Sequence, residues 1–360
     1  MENARPVRVL IVDDSALVRS ILRDILSHDQ GIEVVGEADN GQNGVELTAR
    51  LKPDLITMDI QMPRMDGFEA TEQIMAFHPT PILIFSSAVD KSEQYTSFKA
   101  IALGALDVMS KPDITAEGFT QIAGELVRKI KMLASITTIS HIRGRMKAPR
   151  KAEPAGARAP QGEPRPKVIT APAYDLLVVG ASTGGPPALE LFLSSLPLSF
   201  PLGICVVQHI ARGFIESLSE WLSSKVSLKV QVARDGSEIL KGNIYFAPDD
   251  VQMQVQADRR IMLRPDLPPW GGHKPAVNHL FDSAAEAFGS RTIGVIMTGM
   301  GDDGAIGLKA IRKRGGFTIA QDQATSSIFG MPQQAIDIGA VIRTLPLQAI
   351  ADTILSILGE

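Results

Sequence analysis

The sequence predicts an α/β protein of two doubly wound parallel-sheet domains joined by a Pro-rich linker. Three observations carry that expectation. Short apolar runs alternate with helix-periodic stretches over residues 7–133, a pattern that implies right-handed crossovers and a parallel sheet covered on both faces. From about residue 143 to 172 the chain reads RGRMKAPRKAEPAGARAPQGEPRPKVITAP, nearly free of large apolar residues and unable to bury a core. The alternation then resumes to the end. The 360 residues suffice for two cores, and the expected division is 1–133, a linker over 134–172, and a larger second domain over 173–360.

In the first domain the strand candidates are VRVLIVDD, IEVVGEA, PDLITMDI, PILIFSS and LDVMSKP. Between and after them SALVRSILRDIL, NGQNGVELTARL, GFEATEQIMAF, SEQYTSFKAIALGA and FTQIAGELVRKIKML repeat apolar residues at helical spacing. In the second, YDLLVVGAS, LGICVVQH, LKVQVA, NIYFAP and RTIGVIMTG read as strands, and PPALELFLSSL, FIESLSEWLSS, VNHLFDSAAEAF and AIGLKAIRKRG as helices.

Composition narrows the setting. No run approaches the roughly 20 apolar residues of a membrane span, and the start MENARPVRV has no apolar signal core, so a cytoplasmic protein not inserted in membranes is expected. The single cysteine, Cys205, lies in the apolar run GICVVQ and reads as a buried hydrophobe. A formal net charge of −4 offers no general attraction to nucleic acid.

Ligands of doubly wound sheets sit at the carboxyl ends of the strands. In the first domain those ends carry Asp13 and Asp14, Asp59, Ser86 with Ser87, and Lys111. Three gathered carboxylates repel unless a cation joins them, and hard oxygen ligands suit Mg²⁺. A carboxylate beside Mg²⁺ can take a phosphoryl group, with a serine hydroxyl and a lysine ammonium holding its oxygens. Singly, Asp14 or Ser15 can instead cap a helix and Asp59 can sit in a turn.

VDDSALVRS, MDIQMPRMDGFEA, FSSA and SKP at 110–112 resemble the receiver domain of two-component response regulators over residues 7 to about 130. The resemblance implies a flavodoxin-like fold and phosphorylation of Asp59 by a histidine kinase. It further implies Asp14 and Asp59 as Mg²⁺ ligands, Asp13 assisting, and Ser86 and Lys111 on the phosphoryl group. Val108 stands where receivers often carry an aromatic residue.

The second domain opens on GASTGGPPA. A dinucleotide fingerprint needs glycine where Ser182 stands and an acidic residue about 20 positions later, where the chain reads FPLGICV. A receiver-coupled nucleotide-binding module is therefore the weaker reading. Ser182 on a strand-to-helix turn is compatible with a nucleophile and with an N-cap. Its base would be His209, which ends GICVVQH, in preference to His273 in the loop PPWGGHKP, while His279 falls on the surface of a helix. The loop GMGDDGAIG supplies two aspartates, one to cap the next helix and one to face the histidine, and the amide of Met300 can serve an oxyanion hole.

GASTGGP, VVQHI, MTGMGDDGA and QDQATSSIFGMP resemble the catalytic domain of the CheB chemotaxis methylesterases over about 175–356. The resemblance implies a Rossmann-like α/β serine hydrolase with Ser182 as nucleophile, His209 as base, Asp303 as orienting carboxylate and the Met300 amide in the oxyanion hole. It implies hydrolysis of glutamate methyl esters and deamidation of glutamines on chemoreceptors, without a cofactor for that step. The same chemistry on receptors of another sensory pathway remains an alternative. The chain departs from the family pattern with Gln252, Asn278 and Gln334.

Overall fold

The computed structural model describes residues 5–86, 103–112, 116–136 and 174–359. Ser87, most of the helix expected over 92–105, and nearly all of the linker expected over 134–172 lie outside the described residues.

In the first unit, β1 (Val7–Val12), α1 (Ala16–Ser27), β2 (Ile32–Ala38), α2 (Gly41–Leu51), β3 (Leu55–Met58), α3 (Gly67–Phe77), β4 (Ile82–Ser86), β5 (Asp107–Ser110) and α4 (Ala116–Leu133) follow in order. The strands form a parallel sheet in the order β2-β1-β3-β4-β5. Strand alternation sends Val9, Ile11, Leu83 and Phe85 toward α1 and α4, and Leu10, Ile56 and Ile84 toward α3. The order reverses between β1 and β3, which opens a crevice at their carboxyl ends. Ser15 caps α1 by accepting from the Val18 amide, so Asp14 is not spent as a cap.

The second unit contains β6 (Leu176–Ala181), α5 (Gly185–Ser194), β7 (Gly203–Gln208), α6 (Ile215–Ser223), β8 (Lys229–Val232), β9 (Asn243–Phe246), β10 (Gln252–Val255) and β11 (Ile261–Arg264). It continues with α7 (Val277–Phe288), β12 (Thr292–Ile296), α8 (Ala305–Lys313), β13 (Phe317–Gln321), α9 (Met331–Asp337), β14 (Arg343–Leu345) and α10 (Leu347–Leu358). Its main sheet is parallel, ordered β14-β13-β12-β6-β7-β9-β8.

One face of this sheet packs Val179, Val206 and Val295 under α5, α6 and α10. The other packs Val178, Cys205 and Ile296 under α7 and α8. Cys205 is fully buried and burial pushes its thiol up, as a packed hydrophobe requires. The antiparallel pair β10–β11 was not foreseen from the sequence; it presents four residues a side, too short for alternation to stand out. From β6 the chain winds outward to β7, then returns to lay β12 on the other side of β6. The strand order therefore reverses between β6 and β12, and both strands end at the same edge.

Candidate active site and receiver site

β6 runs straight into Ser182, and its last residue, Ala181, pairs in register with Gln208, so Ser182 and His209 leave adjacent strands side by side. The His209 amide donates to the Ala181 carbonyl at 2.9 Å, and the Ser182 amide to Thr298 O at 3.0 Å. Ser182 is buried at the head of α5 and is not a side-chain cap: the N-cap residue is Gly184.

His209 Nε2 lies 2.9 Å from Asp303 Oδ2. Asp303 also accepts from the amides of Val277 at 2.7 Å and Asn278 at 2.9 Å, the first two residues of α7. Neither aspartate of the GMGDDGAIG loop caps α8 through its side chain, since Gly304 is the N-cap there. The expectation that one of them would cap that helix is corrected: Asp303 reaches the start of α7 instead, and Asp302 is exposed. Burial alone would raise the Asp303 carboxyl. The hydrogen bond and charge of His209 and the two helix amides outweigh it and hold the group below the usual range, ionised. The other imidazole nitrogen, Nδ1, is buried without a hydrogen-bond partner among the described residues.

His273 lies flat on His209, ring centroids 3.9 Å apart and planes within 3°. Burial first, then the neighbouring His209, pushes His273 down to about 4, so it stays neutral near pH 7. Gln252, wholly buried, holds the His273 loop: it donates to Pro268 O at 3.0 Å and accepts from the Ala276 amide at 2.7 Å. Asn278 Oδ1 accepts from the Gly307 amide, tying α7 to α8. His279, expected on the surface, is half-buried edge-on to Trp270.

Met300 follows Gly299, at which a Cβ would fall 2.7 Å from Ser182 Cβ; only glycine lets this loop come so close to the serine. The side chain of Met300 is 39% exposed, at the rim of the site. Gln321, closing β13, fixes the start of the same loop by accepting from the Thr298 amide at 2.8 Å.

In the first unit, carboxylate oxygens of Asp13, Asp14 and Asp59 lie within 4.8 Å of one another. Lys111 Nζ is 2.8 Å from Asp13 and 2.6 Å from Asp59. Burial pushes both buried carboxyls up, Asp59 to about 6, against the pull of Lys111. Ser86 Oγ is buried at the end of β4 without a partner among the described residues. Two buried carboxylates, one exposed one and an unpartnered hydroxyl fit a hydrated Mg²⁺ and an incoming phosphoryl group. Val108 is buried in the core on β5.

The two sites are linked by a contact the sequence did not announce. Asp107 Oδ2, on β5, accepts from Thr183 Oγ1 at 2.9 Å and from Lys129 at 2.6 Å, and Thr183 is the residue after Ser182. Ser110 Oγ reaches Arg212 O at 3.4 Å alongside.

A family model described as CheB methylesterase matches residues 177–354, and one described as response regulator receiver domain matches residues 9–122. The chain is 40% identical over 356 residues to "protein-glutamate methylesterase/protein-glutamine glutaminase 4" of Geobacter metallireducens, covering 98% of this chain and 99% of that one. It is 42% identical over 354 residues to "protein-glutamate methylesterase/protein-glutamine glutaminase 1" of Syntrophus aciditrophicus, again covering 98% and 99%. The solved Thermotoga maritima CheB methylesterase catalytic domain is 37% identical, covering 51% of this chain and 98% of that one, with a TM-score of 0.49. Among the described residues no helix is long and apolar enough to cross a membrane. With a receiver domain ahead of the catalytic domain, and relatives matched over nearly their whole length, the chain belongs to the CheB methylesterase family.

Proposed function

We propose that the protein is a receiver-controlled serine hydrolase that removes methyl esters from glutamate side chains of chemoreceptors and deamidates receptor glutamines. The observation that carries this reading is the His209–Asp303 pair, on the strand ends flanking Ser182, with the remaining imidazole nitrogen unpartnered among the described residues.

In this reading Ser182 Oγ attacks the ester carbonyl carbon and its proton passes to His209 Nδ1. Asp303, kept ionised by its bond to His209 and by the amides of α7, offsets the charge that forms on the imidazole. The Met300 amide steadies the oxyanion. Collapse of the tetrahedral species expels methanol, which takes the proton back from His209. Water, activated by the same imidazole, then cleaves the acyl-enzyme to a glutamate carboxylate and restores the serine. With a glutamine side chain the leaving group is ammonia and the rest is unchanged.

Asp59 is the phosphoryl acceptor, served by a histidine kinase. Asp13, Asp14 and Asp59 would hold Mg²⁺, which offsets charge during phosphoryl transfer, while Ser86 and Lys111 bind the phosphoryl oxygens. The Asp107–Thr183 hydrogen bond supports a receiver that, unphosphorylated, sits against the loop bearing Ser182. Phosphorylation shifts the population toward an open state. The working division is a receiver over 1–133, a linker over 134–172 and the catalytic domain over 173–360, in a cytoplasmic protein.

The test uses membranes carrying receptors with radiolabelled methyl esters, with and without acetyl phosphate and Mg²⁺. Release of labelled methanol, faster with the phosphodonor and indifferent to it in Asp59→Asn, is expected. An absence of methanol release under both conditions would overturn the proposal.

A further inference from the structure

Gln208 ends β7, a strand otherwise apolar, and is 3% exposed. Its side chain turns to the two loops that leave the sheet beside it. Nε2 donates to Ser182 O at 2.7 Å and to His209 O at 2.8 Å. Both hydrogens of the carboxamide are thereby committed, one to each loop. The amide cannot be turned over, because Oε1 would then face two carbonyl oxygens. Oε1 itself is buried without a partner among the described residues, in a slot against Gly185, the first residue of α5, where a Cβ would fall 1.9 Å from it. A buried carboxamide left half-satisfied calls for an explanation, and what the other half joins is the backbone of the nucleophile and of its base.

We infer that Gln208 is a positioning residue for the hydrolysis, clamping the carbonyls of Ser182 and His209 so that the loops bearing the nucleophile and its base keep one fixed relation to each other. The inference rests on the reading of Ser182 as nucleophile and His209 as base. The last ladder bond between β6 and β7 is the one from the His209 amide to Ala181 O; beyond it the Ser182 and His209 carbonyls are joined across the strand ends through Gln208. Displacement of reacting groups by about 1 Å costs on the order of 100-fold in rate. The clamp touches neither substrate nor the reacting atoms, so its loss acts on the acylation rate and leaves substrate binding unchanged.

Gln208→Met tests this, since methionine keeps the length of the side chain and donates nothing. A second variant, Gly185→Ala, keeps the carboxamide and pushes it out of its slot, and alanine suits a first helical turn. The control for Gly185→Ala is made in Gln208→Ala, which lacks the Oε1, Cδ and Nε2 atoms that lie 1.9, 2.7 and 2.9 Å from the new methyl. Two quantities are measured: the rate at which a fluorophosphonate labels Ser182, and kcat and KM for methyl-ester hydrolysis with phosphodonor present.

Each single variant is expected to lower labelling and kcat by about 10- to 100-fold with KM within about twofold, and Gly185→Ala adds less than about twofold to Gln208→Ala. Labelling of a folded single variant within about twofold of wild type, or an equal loss from Gly185→Ala with and without Gln208, would overturn the clamp. If Gln208→Met does not fold, Gly185→Ala carries the test alone. The parent reading is separately exposed: labelling or hydrolysis that persists in Ser182→Ala sinks the serine mechanism, whereas an inert Ser182→Ala beside a normal Gln208→Met sinks only the clamp.

Discussion

His209 and Asp303 meet at 2.9 Å although the strands that lead to them, β7 and β12, do not touch. β6 runs between them and delivers Ser182 at the same edge. Three strand ends around a reversal of strand order thus supply a hydroxyl, an imidazole and a carboxylate, and the amides of α7 hold the carboxylate from behind.

Asp303→Asn removes the negative charge facing His209 while keeping its shape. A fall in kcat of about 10³- to 10⁴-fold is expected. Asp303→Ala strands the Val277 and Asn278 amides as well and should cost about 1–3 kcal/mol of stability. Steady-state hydrolysis and denaturant unfolding check the two effects.

Asp303 also ties stability to pH. Its folded value lies below the ordinary 3.8, so the unfolded chain binds more protons near that pH. The stabilisation is present above 3.8 and is lost as pH falls through the lower folded value. Urea unfolding at stepped pH should show the gap between wild type and Asp303→Asn closing below about pH 4, and a gap that widens there would contradict the carboxylate's role.

His273 has the opposite titration. Its folded value of about 4 lies below the ordinary 6.5, so between those values the unfolded chain takes up the proton and stability falls with falling pH. His273→Phe keeps a ring on His209 and removes that loss. The variant should therefore gain on wild type as pH drops from about 6.5 to about 4. His273→Ala, which removes the stack, should slow hydrolysis by roughly threefold to tenfold, the equivalent of about 0.5–1.5 kcal/mol of ring contact.

Asp107→Ala breaks the bond to Thr183 across the two units. A hydrogen bond worth about 1 kcal/mol holds an equilibrium over by roughly fivefold. Hydrolysis without phosphodonor should rise by about that factor and the stimulation by acetyl phosphate should shrink to match. Unchanged basal hydrolysis would separate this contact from control of the site.

Much of this arrangement can be read in the sequence, because apolar runs ending in chemistry-bearing residues (VLIVDD, LLVVGAS, GICVVQH) mark both strands and the edge to which they point. Which of two adjacent aspartates faces the histidine is not legible in the run GDDG, since the choice is made by α7, whose amides come from residues 277 and 278. The stacking of His273 on His209 depends on a loop braced by Gln252, far away in the chain. Gln208 and Gln321 did leave a signal: each is a carboxamide closing an otherwise apolar strand, a place where backbone groups run out of ladder partners. The Thr183–Asp107 bond left none, because it joins residues 76 positions apart in two separately folded sheets.

In the proposed mechanism everything turns on Ser182 carrying the hydrolysis. The most direct test is a single-turnover measurement of labelled methanol released from methyl-esterified receptors by Ser182→Ala with acetyl phosphate present, alongside wild type. Release at the level of the enzyme-free control is expected, with the variant folded and still phosphorylated on Asp59. Release at the wild-type rate would contradict that mechanism.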